Sequence, residues 1–142
     1  DEGYAAAERI AGLDVPVIDY THVPRVTYCT PEIASVGLTE AQAREQGREV
    51  EAKKLDFRAI GKANMLGEGG FVKVVAEAGG GPTLGVHMIG PHVTDLVSEA
   101  MLITAWEATP AEVARFHHPH PTLSEGVGEA FLALAGKPLH SP

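Results

Sequence analysis

The strongest periodic signals in the chain are two β-branched runs, Phe71–Ala76 and Leu84–Ile89, separated by Gly79-Gly80-Gly81-Pro82. Runs of this length bounded by glycine and proline read as strands, here joined by a loose hairpin. Two shorter runs, Val23–Tyr28 and Ile33–Leu38, flank Thr30-Pro31-Glu32. Pro31 marks a turn or a sheet edge, because it has no N–H to give to a ladder. Val50–Phe57 is mixed in pattern and reads as a partly exposed strand. Helical spacing dominates the later part. Thr94–Trp106 carries Leu96, Val97, Ala100, Met101, Leu102, Ile103 and Trp106, apolar on most faces, and predicts a largely buried helix. Leu123–Leu134 predicts a last helix, stopped by Gly136 and Pro138.

Local punctuation supplies the remaining elements. Thr39-Glu40-Ala41-Gln42 and Thr109-Pro110-Ala111-Glu112 both have the threonine and the reciprocal acid or amide of a capping box, and each opens a short helix. Gly47 ends the first of these. Ala5–Ile10 reads as a short helix stopped by Gly12, and Leu13–Asp19, with Pro16, as a linker. Arg58–Gly70, with four glycines, reads as loop. Strands first and helices mainly later give an α+β fold, an antiparallel sheet flanked by helices. The organisation expected is a short leading piece, residues 1–19, and one domain over 20–142.

At 142 residues, with 44% hydrophobic and 21% charged residues, the chain has the composition of a soluble domain with its own core. A formal net charge of −8 argues against nucleic acid and leaves room for a basic protein partner. No apolar run reaches the ~18 residues of a membrane span, and no secretory signal is visible. The single cysteine, Cys29, can form neither an internal disulfide nor a redox dithiol, which fits a reducing, cytoplasmic setting. A start at Asp1 in place of Met is expected of a processed product or a piece of a longer chain.

Catalytic motifs are mostly missing. No strand runs into Gly-x-Gly-x-x-Gly, and there is no P-loop, Gly-x-Ser-x-Gly or His-Glu-x-x-His. The unusual segment is Phe116-His117-His118-Pro119-His120-Pro121-Thr122-Leu123-Ser124-Glu125. Histidine titrates near neutrality and serves as a general acid or base. A carboxylate on one ring nitrogen fixes the tautomer and stabilises the imidazolium. Glu125 is close enough in sequence to do this for His120, whose backbone Pro119 and Pro121 restrict. Plainer readings compete. Clustered histidines can bind zinc or nickel, although no cysteine or second spaced His pair supports a closed site; they can also be ordinary polar loop residues. Thr122–Glu125 is itself a third capping box, in which Gln would serve almost as well as Glu.

His118-Pro119-His120-Pro121-Thr122-Leu123-Ser124-Glu125 closely resembles the His-x-His-Pro-Thr-Leu-Ser-Glu signature of dihydrolipoamide dehydrogenases; glutathione reductase and its relatives share only the shorter His-Pro-Thr-x-x-Glu core. Two more blocks agree in order and spacing. Val26–Gly37 resembles the segment that opens this family's interface domain, and Leu84–Pro91 its last strand and following turn. The resemblance covers about residues 20–136, and the stretch before it is similar to the last helix of a preceding flavin-binding domain. It implies a homodimeric parent with FAD, a redox disulfide and an NAD site in upstream domains, acting on dihydrolipoamide. It further implies that His120 is the acid–base group, that Glu125 orients it, and that the backbone of His120 and Pro121 touches the other subunit's flavin. The subunit-binding domain of a dihydrolipoyl acyltransferase is the implied docking partner. His118 is assigned no role. The alternative is a non-catalytic dimerisation and docking module, and the isolated chain is expected to be inactive and to bind neither FAD nor NAD.

Overall fold

The computed structural model describes residues 2–140. Its elements in chain order are α1 (Glu2–Ile10), β1 (Arg25–Thr27), β2 (Glu32–Gly37), α2 (Glu40–Glu45), β3 (Val50–Asp56), α3 (Gly61–Leu66), β4 (Phe71–Glu77), β5 (Thr83–Gly90), α4 (Val93–Ala105), α5 (Pro110–Val113) and α6 (Ser124–Leu134), with short 3₁₀ turns at Tyr20–His22 and Phe57–Ala59. The five strands form one antiparallel sheet in the order β1-β2-β5-β4-β3. The α+β expectation holds, and the β4–β5 hairpin is the centre of the sheet.

Register explains which face is buried. Ala34, Met88, Val72 and Leu55 lie in one row across β2, β5, β4 and β3, and Val36, Val86 and Val74 in the next. All seven are at most 2% exposed. Side chains two apart on a strand share a face, so these rows form one apolar surface. Helix α4 covers it over β2 and β5, and α6 covers it over β3 and β4. Val93, Val97, Ala100 and Ile103 of α4 and Val127, Ala130 and Phe131 of α6 complete the core.

Two expectations need correction. α4 is not largely buried: Leu102 is 42% and Trp106 75% exposed. A single sheet covers only one side of a helix, so an all-round apolar helix must leave its far side open. The stretch expected to be loop, Arg58–Gly70, contains α3. Its N-cap, Ile60, has no side-chain cap bond, so no local motif announced it. Burial of Ile60 and Ala63 and the bond from Asn64 Nδ2 to the Arg58 carbonyl hold it instead. Both capping boxes, at Thr39 and Thr109, form with their two reciprocal bonds.

One contact holds the first turn of α6 against the sheet. Phe57, fully buried at the end of β3, lies against Gly126; a Cβ there would stand 2.7 Å from the ring. A glycine inside a helix costs roughly 0.5–1 kcal/mol relative to alanine, and here the close approach of the ring requires it. The first turn of α6 is thereby pinned to the sheet.

Candidate functional site

The histidine segment runs from α5 to α6 and presents its residues at the edge of the core. The His120–Pro121 peptide is cis, and the His120 side chain is 77% exposed. Glu125 lies in the first turn of α6. The structure brings His120 and Glu125 together: His120 Nδ1 is 2.8 Å from Glu125 Oε1, while Glu125 Oε2 accepts the Thr122 N–H at 2.9 Å. An ionised carboxylate can only accept, so Nδ1 carries the proton and donates it. The neutral ring then keeps its lone pair on Nε2. Burial alone would push the Glu125 carboxyl up, but the Thr122 amide and the His120 ring together outweigh it and hold the group below its ordinary value. Glu125 is therefore charged at neutral pH.

The third capping box forms only in half. Glu125 reaches back to the Thr122 amide, but the Thr122 hydroxyl donates to the Pro119 carbonyl at 2.6 Å. The N-cap is Leu123, which makes no side-chain cap bond. With the helix starting one residue later than the motif suggests, Thr122 lies outside the cap position from which a hydroxyl reaches an N3 amide. The orienting and capping roles of Glu125 thus do not exclude each other; each uses one oxygen.

His118, to which no role was assigned, is the buried member of the cluster. Its side chain is 10% exposed and its Nε2 is 2.7 Å from Glu99 Oε1 on α4. The ring lies against α6 at Gly128, where a Cβ would stand 2.3 Å from Nδ1. The bond to Glu99 raises the His118 pKa against the opposing effect of burial, with Glu125 adding to the rise. Glu99 was missed because it lies 19 residues from His118. The available signal was that it is the sole charged residue between Leu96 and Trp106. Behind this pair, the buried Glu129 of α6 accepts the N–H groups of Leu139 and His140 at 2.7 and 2.6 Å, which folds the C-terminal segment back onto the helix. His117 is exposed. Among the described residues no group of three or more His, Cys, Asp or Glu is placed to hold a metal ion.

The chain is similar to proteins of one known family. Residues 23–131 match the family described as the pyridine nucleotide-disulphide oxidoreductase dimerisation domain. The chain is 54% identical over 140 residues to a dihydrolipoyl dehydrogenase of Bacillus subtilis, covering 98% of this chain and 30% of that protein. It is 47% identical over 137 residues to one of Mycobacterium leprae, covering 95% and 29%. Among solved structures, LpdA from Mycobacterium tuberculosis superposes with a TM-score of 0.82 at 25% identity, covering 91% of this chain and 28% of that one. The chain therefore spans less than a third of the length of the relatives it matches.

Proposed function

The chain belongs to the pyridine nucleotide-disulphide oxidoreductase dimerisation-domain family, and from that premise we propose that it is the dimerisation domain of a dihydrolipoamide dehydrogenase, supplying an acid–base pair, His120 and Glu125, to an active site completed by another subunit. In this reading residues 1–19 close a preceding flavin-binding domain and 20–142 form the interface domain, in a cytoplasmic enzyme. The observation that carries it is the double use of Glu125: one oxygen fixes the His120 tautomer and the other is locked by the Thr122 amide.

The chemistry follows from the tautomer. His120 Nε2, unprotonated, takes the proton of a dihydrolipoamide thiol, and the resulting thiolate is the nucleophile for disulfide exchange. The imidazolium so formed is stabilised by the Glu125 charge. The redox disulfide, FAD and NAD implied for the rest of the parent would supply the acceptors for the two electrons of the dithiol.

Toward those cofactors this chain presents an exposed edge. The turn from β5 into α4 is a strand-to-helix junction, the usual place for a dinucleotide phosphate. Its helix N-terminus already receives a carboxylate, because the Thr94 N–H and hydroxyl both donate to Glu32 Oε2, at 3.1 and 2.7 Å. What faces outward instead is the exposed His120–Pro121 step, suited to lie against a flavin held by the partner subunit. The chain's net charge of −8 suits docking of a basic acyltransferase subunit-binding domain.

The proposal is tested on the parent protein by following NAD reduction with dihydrolipoamide or reduced glutathione as the dithiol or thiol donor. Flavin absorbance and turnover with dihydrolipoamide alone are expected. A parent without flavin, or one that turns over glutathione in preference, overturns the assignment.

The dimer has its own test. Leu102 on α4 and Trp106 just after it, together with Tyr28 and Phe116 (82% and 73% exposed), leave apolar surface uncovered. A twofold pairing would cover the same exposed residues on both copies. Light scattering at high micromolar concentration is expected to give twice the 14.9 kDa chain mass. A monomer under those conditions counts against the proposal.

A further inference from the structure

The loop that carries His120 has few ties to the rest of the molecule. Most of its side-chain hydrogen bonds are internal or reach the start of α6: Thr122 to Pro119 and Ser124, and His120 and Thr122 to Glu125. Among the described residues, the one side-chain bond from residues 117–122 to an element other than α6 is His118 Nε2 to Glu99 Oε1. This bond reaches α4, whose buried face is packed on the sheet. A distance of 2.7 Å is that of a charge-assisted hydrogen bond. On its other side the His118 ring is stopped by the backbone of α6 at Gly128, one turn after Glu125. Gly128 is a second costly glycine within the same helix, and the fit of the ring accounts for it.

We propose that His118 is a positioning residue for the His120–Glu125 pair, clamped between Glu99 on α4 and Gly128 on α6 so that His120 is held at its partner oxygen. The inference rests on the acid–base reading of His120 given above. Without the clamp, the exposed imidazole of His120 must hold its bond to Glu125 from a loop whose remaining side-chain hydrogen bonds lie within it or at the start of α6. Rotation about its side-chain bonds then lets both ring tautomers be populated, and the fraction with a free lone pair on Nε2 falls.

The clamp is charge-dependent. Glu99 faces His118 from α4, Glu125 and Glu129 from α6, and His117 and His140 from the flanking segments. The Glu99 bond raises the His118 pKa, so the cationic pair is complete at acid pH. Its contribution to stability is full below the ordinary histidine value and is lost as pH rises through the raised one.

The deciding variant is Glu99→Gln, which keeps shape and an acceptor oxygen while removing the charge; the Glu99 side chain is 38% exposed, so folding is not at stake. Gly128→Ala is the independent second variant, since it displaces the ring and changes no charge. The spectroscopic readout is ¹⁵N NMR of the histidine rings of the full chain, which reports tautomers without any turnover. In the wild type His120 is expected as the Nδ1–H form alone. In both variants a mixture of tautomers is expected at His120, although neither substitution touches that ring. In the parent enzyme Glu99→Gln is expected to lower kcat for dihydrolipoamide about tenfold, the scale of one charge-assisted bond, with NADH oxidation by an artificial dye unchanged. A single His120 tautomer in the wild type that survives both substitutions overturns the clamp and leaves the acid–base reading standing. A mixed tautomer already in the wild type defeats that reading and the clamp with it.

Discussion

Replacing His120 by Gln in the parent enzyme is expected to slow oxidation of dihydrolipoamide on the order of 10²–10⁴-fold, the usual worth of a positioned general base. Glutamine can donate to Glu125 as the imidazole does, but it has no lone pair basic enough to take a thiol proton. The thiolate must then form through water, and its concentration at neutral pH is small because thiols ionise near 8.5. The defect is specific to the half-reaction that needs this proton. Reduction of a dye by NADH, which involves no thiol of the substrate, is expected to proceed normally. Stability is expected to change by no more than about 0.5 kcal/mol, since the His120 side chain is 77% exposed in this chain and supports no core contact. Rapid-mixing measurements of the two half-reactions check both parts. A loss below about tenfold in the dithiol reaction, under the range of general-base catalysis, removes His120 from that role.

How much of this site could be read from the chain differs residue by residue, for physical reasons. His120 and Glu125 are five apart across a tight helix start, so sequence proximity was a fair guide to contact. The same is true of the capping boxes at Thr39 and Thr109, in which the motif and its bonds are local. The central hairpin was legible because its strands are short, β-branched and bounded by glycine. What failed depended on partners far away in the chain. α3 exists because Ile60 and Ala63 find cover in the core. The open side of α4 follows from the number of layers available to cover it, which no periodicity encodes. The Thr122 box failed by one residue, when Leu123 became the N-cap. His118 was the costliest omission: its partner lies on α4, and its slot is made by a glycine on α6. Two glycines in one apolar helix, Gly126 and Gly128, were the visible trace of two rings packed against it.

Glu125→Gln is expected to cost more than either of its roles suggests alone, because a carboxylate serves two donors and an amide cannot. In the wild type both oxygens accept, one from His120 Nδ1–H and one from the Thr122 N–H. Glutamine has one oxygen and one NH₂ for those two places. If its oxygen stays on Thr122, the NH₂ faces His120 and selects the tautomer with the proton on Nε2, which cannot act as the base. If its oxygen stays on His120, the NH₂ meets the Thr122 N–H, two donors face each other, and a helix-terminal amide goes unsatisfied. The first arrangement keeps the fold and sacrifices the chemistry. We expect it to dominate, because an imidazole nitrogen can accept as well as donate while the Thr122 N–H can only donate. A serine-protease site locked in the wrong tautomer loses about 10⁴ in rate; with an exposed ring able to escape the trap, roughly 10² is expected here. Stability carries a separate signature. The Glu125 carboxyl is held below its ordinary value in the folded chain, so its contribution is present above the usual carboxylate range and is lost as pH falls through the lowered value. The stability difference between wild type and Glu125→Gln is therefore expected near neutral pH and to shrink in acid. Denaturant titrations at both pH values measure it, and rapid mixing with dihydrolipoamide measures the loss in rate. Normal turnover would show that His120 needs no carboxylate, and would leave Glu125 as a helix cap alone.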